Sequence, residues 1–318
     1  MTTPTTTEKT YPAHYTAADA ELIAYALKWL EQRKYTQAAL ARLARTSPTT
    51  LNQILKGNYP TSPSKILSTA MAALRHLDEV TNHAIPAVET GVFKMAQNTC
   101  AQARLYRNFA VLSAYVGTGK TFAMKHYTAS HANTYLIEAT PMMTVNSLVK
   151  MLARMVTGYE VKGSLEDKFQ AIISSLRNTD SLIIIDEAET LTPKQLHTLR
   201  RLRDIANIGI VLSGTEYLRG IIEPEHGQFD QIRSRVGFFP KTIESISRDD
   251  AAALTQASFG AEDVSDAVID HLYAYCKGSA RMLVEGLIAG IREFRNGRAL
   301  DIMLVDSVAI TALCLQPI

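Results

Sequence analysis

Ala114-Tyr115-Val116-Gly117-Thr118-Gly119-Lys120-Thr121 leaves an apolar, β-rich run, Phe109–Ala114, and opens a helical stretch. Glycines at 117 and 119 let successive backbone N–H groups converge on phosphate oxygens, and a helix N-terminus adds favourable partial charge. Lys120 is expected to reach the β- and γ-phosphates of ATP, with Thr118 and Phe122 beside it. The Thr121 hydroxyl is a candidate ligand for Mg2+. One position departs from the pattern G-x-x-x-x-G-K-[ST]: Ala114 stands where the first glycine belongs. That glycine eases the turn out of the strand, so some strain or a small loop shift is expected at Ala114. The amides near Gly117 and Gly119 are kept.

Some 65 residues later comes Leu182-Ile183-Ile184-Ile185-Asp186-Glu187, an apolar run of buried-strand character ending in two acids. This is the Walker B arrangement. Asp186 is expected in the Mg2+ shell, and Glu187 is expected to orient or deprotonate the attacking water. Positioning and charge stabilisation supply most of the catalysis in phosphoryl transfer, so Lys120, Thr121, Asp186 and Glu187 form a minimal machine for ATP hydrolysis. The two motifs share one texture. Candidate strands Phe109–Ala114, Thr134–Ala139, Ser181–Asp186, Ile208–Gly214 and Phe238–Ile243 alternate with helical stretches. Such alternation predicts a parallel sheet flanked by helices.

Bulk properties set the frame around this core. The chain has 318 residues, 47% hydrophobic and 20% charged, which suits an ordinary globular protein of two domains. A net charge of +2 spreads no basic field over the chain, so a nucleic-acid surface has to come from local patches. Cys100, Cys276 and Cys314 are odd in number and far apart, the usage of reduced cytosolic thiols. No apolar run approaches the roughly 18 residues of a membrane span, and the Thr-rich start has no apolar core of a signal peptide. A soluble, cytoplasmic protein without a membrane partner is expected. The expected divisions are a disordered tail over 1–15, a helical domain over 16–80, a helical connector over 81–108, the α/β core over 109–246, and a helical C-terminal domain over 247–318.

Within 16–80, the segment from Tyr35 to Gly57 resembles the phage-repressor helix-turn-helix. Leu40, Leu43, Leu51, Ile54 and Leu55 form an apolar seam, and Ala41 is small where the helices cross. Ser47 can cap the second helix and Pro48 suits its first turn. Outward residues Thr49, Asn52, Gln53 and Lys56 are types that contact bases and phosphates. Residues 1–80 hold nine Lys/Arg against six Asp/Glu, a mild basic excess.

Three further segments resemble AAA+ ATPases. Ile208–Glu216 looks like the strand ending in the sensor 1 residue, with Thr215 favoured over Ser213. Phe229-Asp-Gln-Ile-Arg233-Ser-Arg235 resembles the arginine-finger segment, with Arg235 favoured over Arg233. Gly278-Ser-Ala-Arg281 resembles the lid motif that carries sensor 2, which adds Arg281 to the nucleotide contacts. The resemblance therefore implies an α/β P-loop AAA+ core, an all-α helix-turn-helix domain in front and an all-α lid behind.

This order of parts, over nearly the whole chain, resembles the family of transposition ATPases that includes the phage Mu B protein, TnsC, TniB and IstB. The resemblance implies an ATPase that binds duplex DNA with little sequence preference and forms a homo-oligomeric ring or filament with ATP. It implies target-site selection and activation of a transposase partner. Candidate phosphate contacts are Lys150, on the helix after the second strand, and Lys194, Arg200, Arg201 and Arg203 after Walker B. The rival readings are a secretion-pathway ATPase resembling ExeA, a replication-loader relative, and a nucleotide-sensing helix-turn-helix regulator. Glu187 argues against the last, because a pure sensor has no need of a water-orienting acid.

Overall fold

The computed structural model describes residues 11–32, 35–82, 87–223 and 230–318, in two compact units, 1–84 and 85–318. The first unit is helical: α1 (Ala17–Gln32), α2 (Gln37–Leu43), α3 (Pro48–Lys56) and α4 (Ser64–Asn82). Local chemistry sets the α2–α3 pair. Thr36 caps α2 by accepting from the Ala39 amide, Ser47 caps α3 by accepting from the Thr50 amide, and Gly57 ends α3 in the left-handed region (φ 80°). Leu40, Ala41, Leu51, Ile54 and Leu55 are buried as their spacing predicts.

Leu43 departs from that prediction and is 38% exposed. It is the last residue of the seven-residue α2, so the helix ends before that face meets a partner. Residues 11–15, expected as part of a disordered tail, are packed. Tyr11 stacks on Tyr15 at 5.5 Å, and the Tyr15 hydroxyl accepts the Tyr59 amide at 3.1 Å. Tyr15 is buried and Tyr11 partly so against the helices, which accounts for the packing there. Residues 1–10 lie outside the described residues.

The second unit begins with α5 (Gly91–Tyr106) and runs into the sheet: β1 (Phe109–Ser113), α6 (Lys120–Ser130), β2 (Thr134–Glu138), α7 (Val145–Thr157), α8 (Leu165–Leu176), β3 (Leu182–Asp186), α9 (Pro193–Ala206), β4 (Gly209–Gly214), α10 (Glu216–Ile222), α11 (Asp230–Arg233) and β5 (Val236–Phe238). All pairings are parallel, in the order β2-β3-β4-β1-β5. Strands β1, β3 and β4 are buried at every position, as a sheet covered by helices on both faces requires. Leu148, Leu152, Ile172, Leu196 and Leu199 from α7, α8 and α9 cover one face. Phe93, Ala96, Cys100 and Ala103 of α5 cover the other, together with Ala123 and Met124 of α6. Thus α5, expected as a connector, is a layer of the core.

The fifth strand also differs from expectation. The sequence predicts one strand over Phe238–Ile243, but β5 ends at Phe238 and its pairing with β1 slips between Phe109 and Ala110. Pro240 has no amide to donate, which breaks the run. Ile243 rejoins the sheet as a single bridge to Ala114.

After the sheet come α12 (Arg248–Phe259), α13 (Asp266–Cys276), a π-helical stretch Met282–Ile288 running into α14 (Ala289–Phe294), and α15 (Ile302–Ser307) followed by a π-helical stretch Val308–Ala312. Their apolar faces form a separate cluster around Leu272, Leu283, Leu287 and Val305. The helical C-terminal region expected over 247–318 is present, without strands among the described residues. No helix of the described residues is long and apolar enough to cross a membrane.

Candidate nucleotide site

The site forms where β1, β3 and β4 end, because parallel strands deliver their C-terminal residues to one edge. From β1 the chain enters the phosphate loop. Gly117 (φ 82°) and Gly119 (φ 102°) take left-handed backbone conformations that side chains disfavour. A Cβ on Gly117 would also lie 2.5 Å from the Ser279 hydroxyl, so the loop and the C-terminal helices meet with no room to spare. Ala114 carries no such demand: it is absent from the positive-φ residues and is fully buried. The strain expected there does not arise. Accordingly Ala114→Gly should change ATP affinity by less than about 1 kcal/mol, the usual scale of a Gly/Ala backbone effect. Titration of a fluorescent nucleotide against both proteins checks this.

Lys120 is 8% exposed and its ammonium donates to the carbonyls of Ala114 (2.6 Å) and Tyr115 (3.1 Å). The loop thus holds its own lysine by carbonyls that a phosphate oxygen can replace. Burial lowers the Lys120 pKa, while Asp186, Glu189, Glu187 and Glu216 oppose the shift. Four carboxylates facing one ammonium make the edge strongly electronegative, which suits a site completed by a cation.

Asp186 ends β3 and is 1% exposed. The Thr121 hydroxyl donates to its Oδ2 at 2.6 Å, and the Ser213 hydroxyl donates to Oδ1 at 2.8 Å. Thr121 and Asp186, two hard oxygen donors in contact, match the donor chemistry that Mg2+ takes. Ser213 is thus engaged with Asp186. The Thr215 hydroxyl is buried without a partner, and the residue lines the main cavity. Glu187 lines the same cavity and is held in the left-handed region (φ 55°) as the chain turns out of β3. Burial raises its pKa, aided by Glu189 and Asp186. A carboxyl shifted that way is a better proton acceptor than an ordinary glutamate.

The cavity holds about 470 Å³, enough for a nucleotide. Gly117, Thr118, Gly119, Lys120, Thr121 and Phe122 all line it. Arg281 and Glu285 reach it from the lid, and the Arg281 amide donates to the Gly117 carbonyl at 2.9 Å. Val88, Thr90 and Phe93 form a wall that sequence reading missed. Their only sequence signal was the Thr90 cap at the start of α5.

The remaining candidates lie elsewhere. Arg235 stands just before β5, where its carbonyl accepts the Phe109 amide. That is the opposite end of β1 from the phosphate loop, and about 3.3 Å per residue puts roughly 15 Å of strand between them. Its guanidinium pairs with Asp204 at 2.9 Å. Arg233 pairs with Glu223 at 3.3 Å; Phe229, in the same predicted segment, lies outside the described residues. Lys150 is exposed on α7 and paired with Glu160 at 3.2 Å. Lys194 and Arg201 are exposed on α9, and Arg200 has a buried Nε without a partner. Arg203 is engaged within the fold, donating to the Arg107 carbonyl and pairing with Asp204. In the first unit Thr49, Gln53 and Lys56 are exposed and Asn52 is half-buried.

Comparison with known proteins agrees with this geometry. Residues 103–222 match the family model described as an AAA domain, and residues 27–74 match one described as a helix-turn-helix. The Mu-like prophage FluMu DNA transposition protein B of Haemophilus influenzae is 28% identical over 241 residues, 72% of this chain and 82% of that protein. The ATP-dependent target DNA activator B of Escherichia phage Mu is 31% identical over 130 residues, 40% of this chain and 41% of that protein. Among solved structures, the Walker-type ATPase paby2304 of Pyrococcus abyssi superposes with a TM-score of 0.51 at 15% identity. That match covers 69% of this chain and 71% of the other. The ORC1 protein of Aeropyrum pernix gives 0.51 at 16% identity, covering 72% and 67%. These likenesses concern the fold. Taken with the phosphate loop and the acid pair, the comparisons give this chain an AAA ATPase domain behind a helix-turn-helix and a likeness to transposition protein B.

Proposed function

We propose that this chain uses ATP to assemble as a homo-oligomer, ring or filament, on duplex DNA with little sequence preference. The assembly offers that DNA as a transposition target and activates a transposase. The observation that carries the ATP-dependent part is the cavity lined by Lys120, Thr121, Glu187, Thr215 and Arg281, with Asp186 bonded to Thr121 beside it. The transposition part is supported by the names of the two relatives, a DNA transposition protein and a target DNA activator. The helix-turn-helix unit adds a second surface for DNA.

In this reading Lys120 leaves the Ala114 and Tyr115 carbonyls for the phosphates, and the loop amides hold them. Thr121 and Asp186 would hold Mg2+, which supplies charge neutralisation when bound. Glu187 accepts a proton from the attacking water, and Thr215 supplies the hydroxyl that fixes that water. Arg281 ties the nucleotide state to the C-terminal helices. Electron microscopy with ATP and plain duplex DNA tests the assembly. Dispersed single particles under conditions where ATP is bound would overturn it.

Phosphate contacts should dominate the DNA affinity, because charge neutralisation is indifferent to sequence. Lys150 and Lys194 are the best placed, both exposed and on the neighbouring helices α7 and α9. Lys150→Ala with Lys194→Ala should weaken binding on all sequences alike. Each lost contact should lower the slope of log K against log salt by about 1. A salt series on two unrelated duplexes reads both effects, and an unchanged slope moves the DNA surface elsewhere. Removing residues 1–80 should spare ATP-dependent DNA binding by the ATPase unit.

A further inference from the structure

Just beyond Walker B sits a residue that neither motif uses. The chain makes a short 3-10 turn, Ala188–Thr190, which aims Glu189 back at the end of β4. There its Oε1 accepts the Thr215 amide at 3.2 Å. The carbonyl of the same Thr215 accepts the Ser113 hydroxyl at 2.9 Å, from the last residue of β1 before the phosphate loop. Thr215 is thus held on both sides of its backbone, by Walker B through Glu189 and by the phosphate-loop strand through Ser113. The other oxygen, Glu189 Oε2, is buried without a hydrogen-bond partner. It lies against Gly214, where an added Cβ would come within 2.1 Å. A glycine at 214 is what lets the carboxylate approach the sensor strand so closely.

We propose that Glu189 is a positioning residue for ATP hydrolysis, bracing Thr215 against the Walker B turn so that the Thr215 hydroxyl and Glu187 keep a fixed separation across the cavity. Glu189 does not line the cavity, whereas Thr215 and Glu187 do. Its effect should therefore fall on turnover rather than on ATP binding. A buried carboxylate oxygen left unpaired is costly, and the bond to the Thr215 amide is what the Glu189 side chain gains in return. The inference rests on Thr215 acting at the nucleotide, and the experiment separates the two claims.

The full-length protein is assayed with ATP and duplex DNA in four forms: Glu189→Ala, Glu189→Gln, Thr215→Ala, and Glu189→Ala with Thr215→Ala. Loss of one positioning hydrogen bond should lower kcat of Glu189→Ala by about tenfold, with KM within about threefold. Glu189→Gln keeps an oxygen for the Thr215 amide and should recover most of that loss. The double variant should be no slower than Thr215→Ala alone, since a brace is useless once the hydroxyl is gone. A Glu189→Ala protein that turns over normally overturns the proposal. So do equal losses in Gln and Ala, or losses that multiply in the double variant. If Glu189→Ala does not fold, Glu189→Asp carries the test. It keeps the charge but draws the acceptor back by one methylene, and an unchanged kcat there overturns the brace. Normal hydrolysis by Thr215→Ala would instead reject the role given to Thr215, a failure visible by itself.

Discussion

Glu187→Gln should bind Mg·ATP and fail to hydrolyse it, and so lock the protein on DNA. The amide keeps the shape of the side chain but cannot accept a proton from water. General-base catalysis is typically worth about 10²–10⁴ in rate, so turnover should fall by that order. Binding should survive, because Lys120, Thr121 and the loop amides are untouched. Lys120→Ala should behave in the opposite way. It removes the ammonium from a floor facing four carboxylates, so nucleotide affinity itself should collapse and assembly with it. Measuring nucleotide affinity and phosphate release on the same preparations separates the two. Glu187 is favoured over Glu189 as the base because it lines the cavity and Glu189 does not. A Glu187→Gln protein hydrolysing ATP at the normal rate would falsify that assignment.

The parts of this molecule that sequence reveals are those decided locally. The Ser47 cap, Pro48 and Gly57 delimit α3 through hydrogen bonds and φ preferences within three residues of each end. Four of the five strands lie within a residue of their predicted bounds; three of them, β1, β3 and β4, are buried throughout, and such strands read as unbroken apolar runs. The phosphate loop and the acid pair are legible for the same reason, as each motif carries its chemistry in adjacent residues. What escaped depends on distant pairs. Nothing near Glu189 signals that its carboxylate meets the Thr215 amide, 26 residues away, through a gap that Gly214 leaves open. That the Ser213 hydroxyl reaches Asp186, 27 residues away, is likewise invisible in the sequence. Helix α5 looked like a connector because its apolar stripe does not say which sheet face it covers. Pro240 was available to break the fifth strand, and the apolar residues around it concealed the break.

If the proposed assembly shares its active sites, hydrolysis should require two copies of the chain, with one catalytic charge supplied by a neighbour. Phosphoryl transfer spreads negative charge over the equatorial oxygens, and an arginine supplied from outside is worth about 10³–10⁵ in rate in P-loop enzymes. Arg235 is the candidate, and its place in the fold supports delivery to another subunit rather than its own. It stands at the entry end of β1 while the phosphate loop leaves the exit end, too far for one side chain to span. In the isolated chain it pairs with Asp204, and the pair keeps Asp204 below the usual carboxylate range despite partial burial. That pair is about 30% exposed on each side, and such ion pairs are typically worth under about 1 kcal/mol, so a stronger anion can take the arginine. If Arg235 were only a surface charge, its loss would cost about that much and turnover would barely change. If it is the finger, Arg235→Ala should lose about 10³-fold in kcat with ATP affinity kept. Mixing distinguishes the cases. Arg235→Ala and Lys120→Ala, each inactive alone, should recover partial hydrolysis together, since some mixed interfaces join an intact phosphate loop to an intact arginine. Asp204→Ala should leave that recovery in place, because it removes one partner of the arginine and keeps the arginine itself. No recovery despite demonstrated co-assembly would reject the shared site, and full activity in isolated monomers would reject it at once.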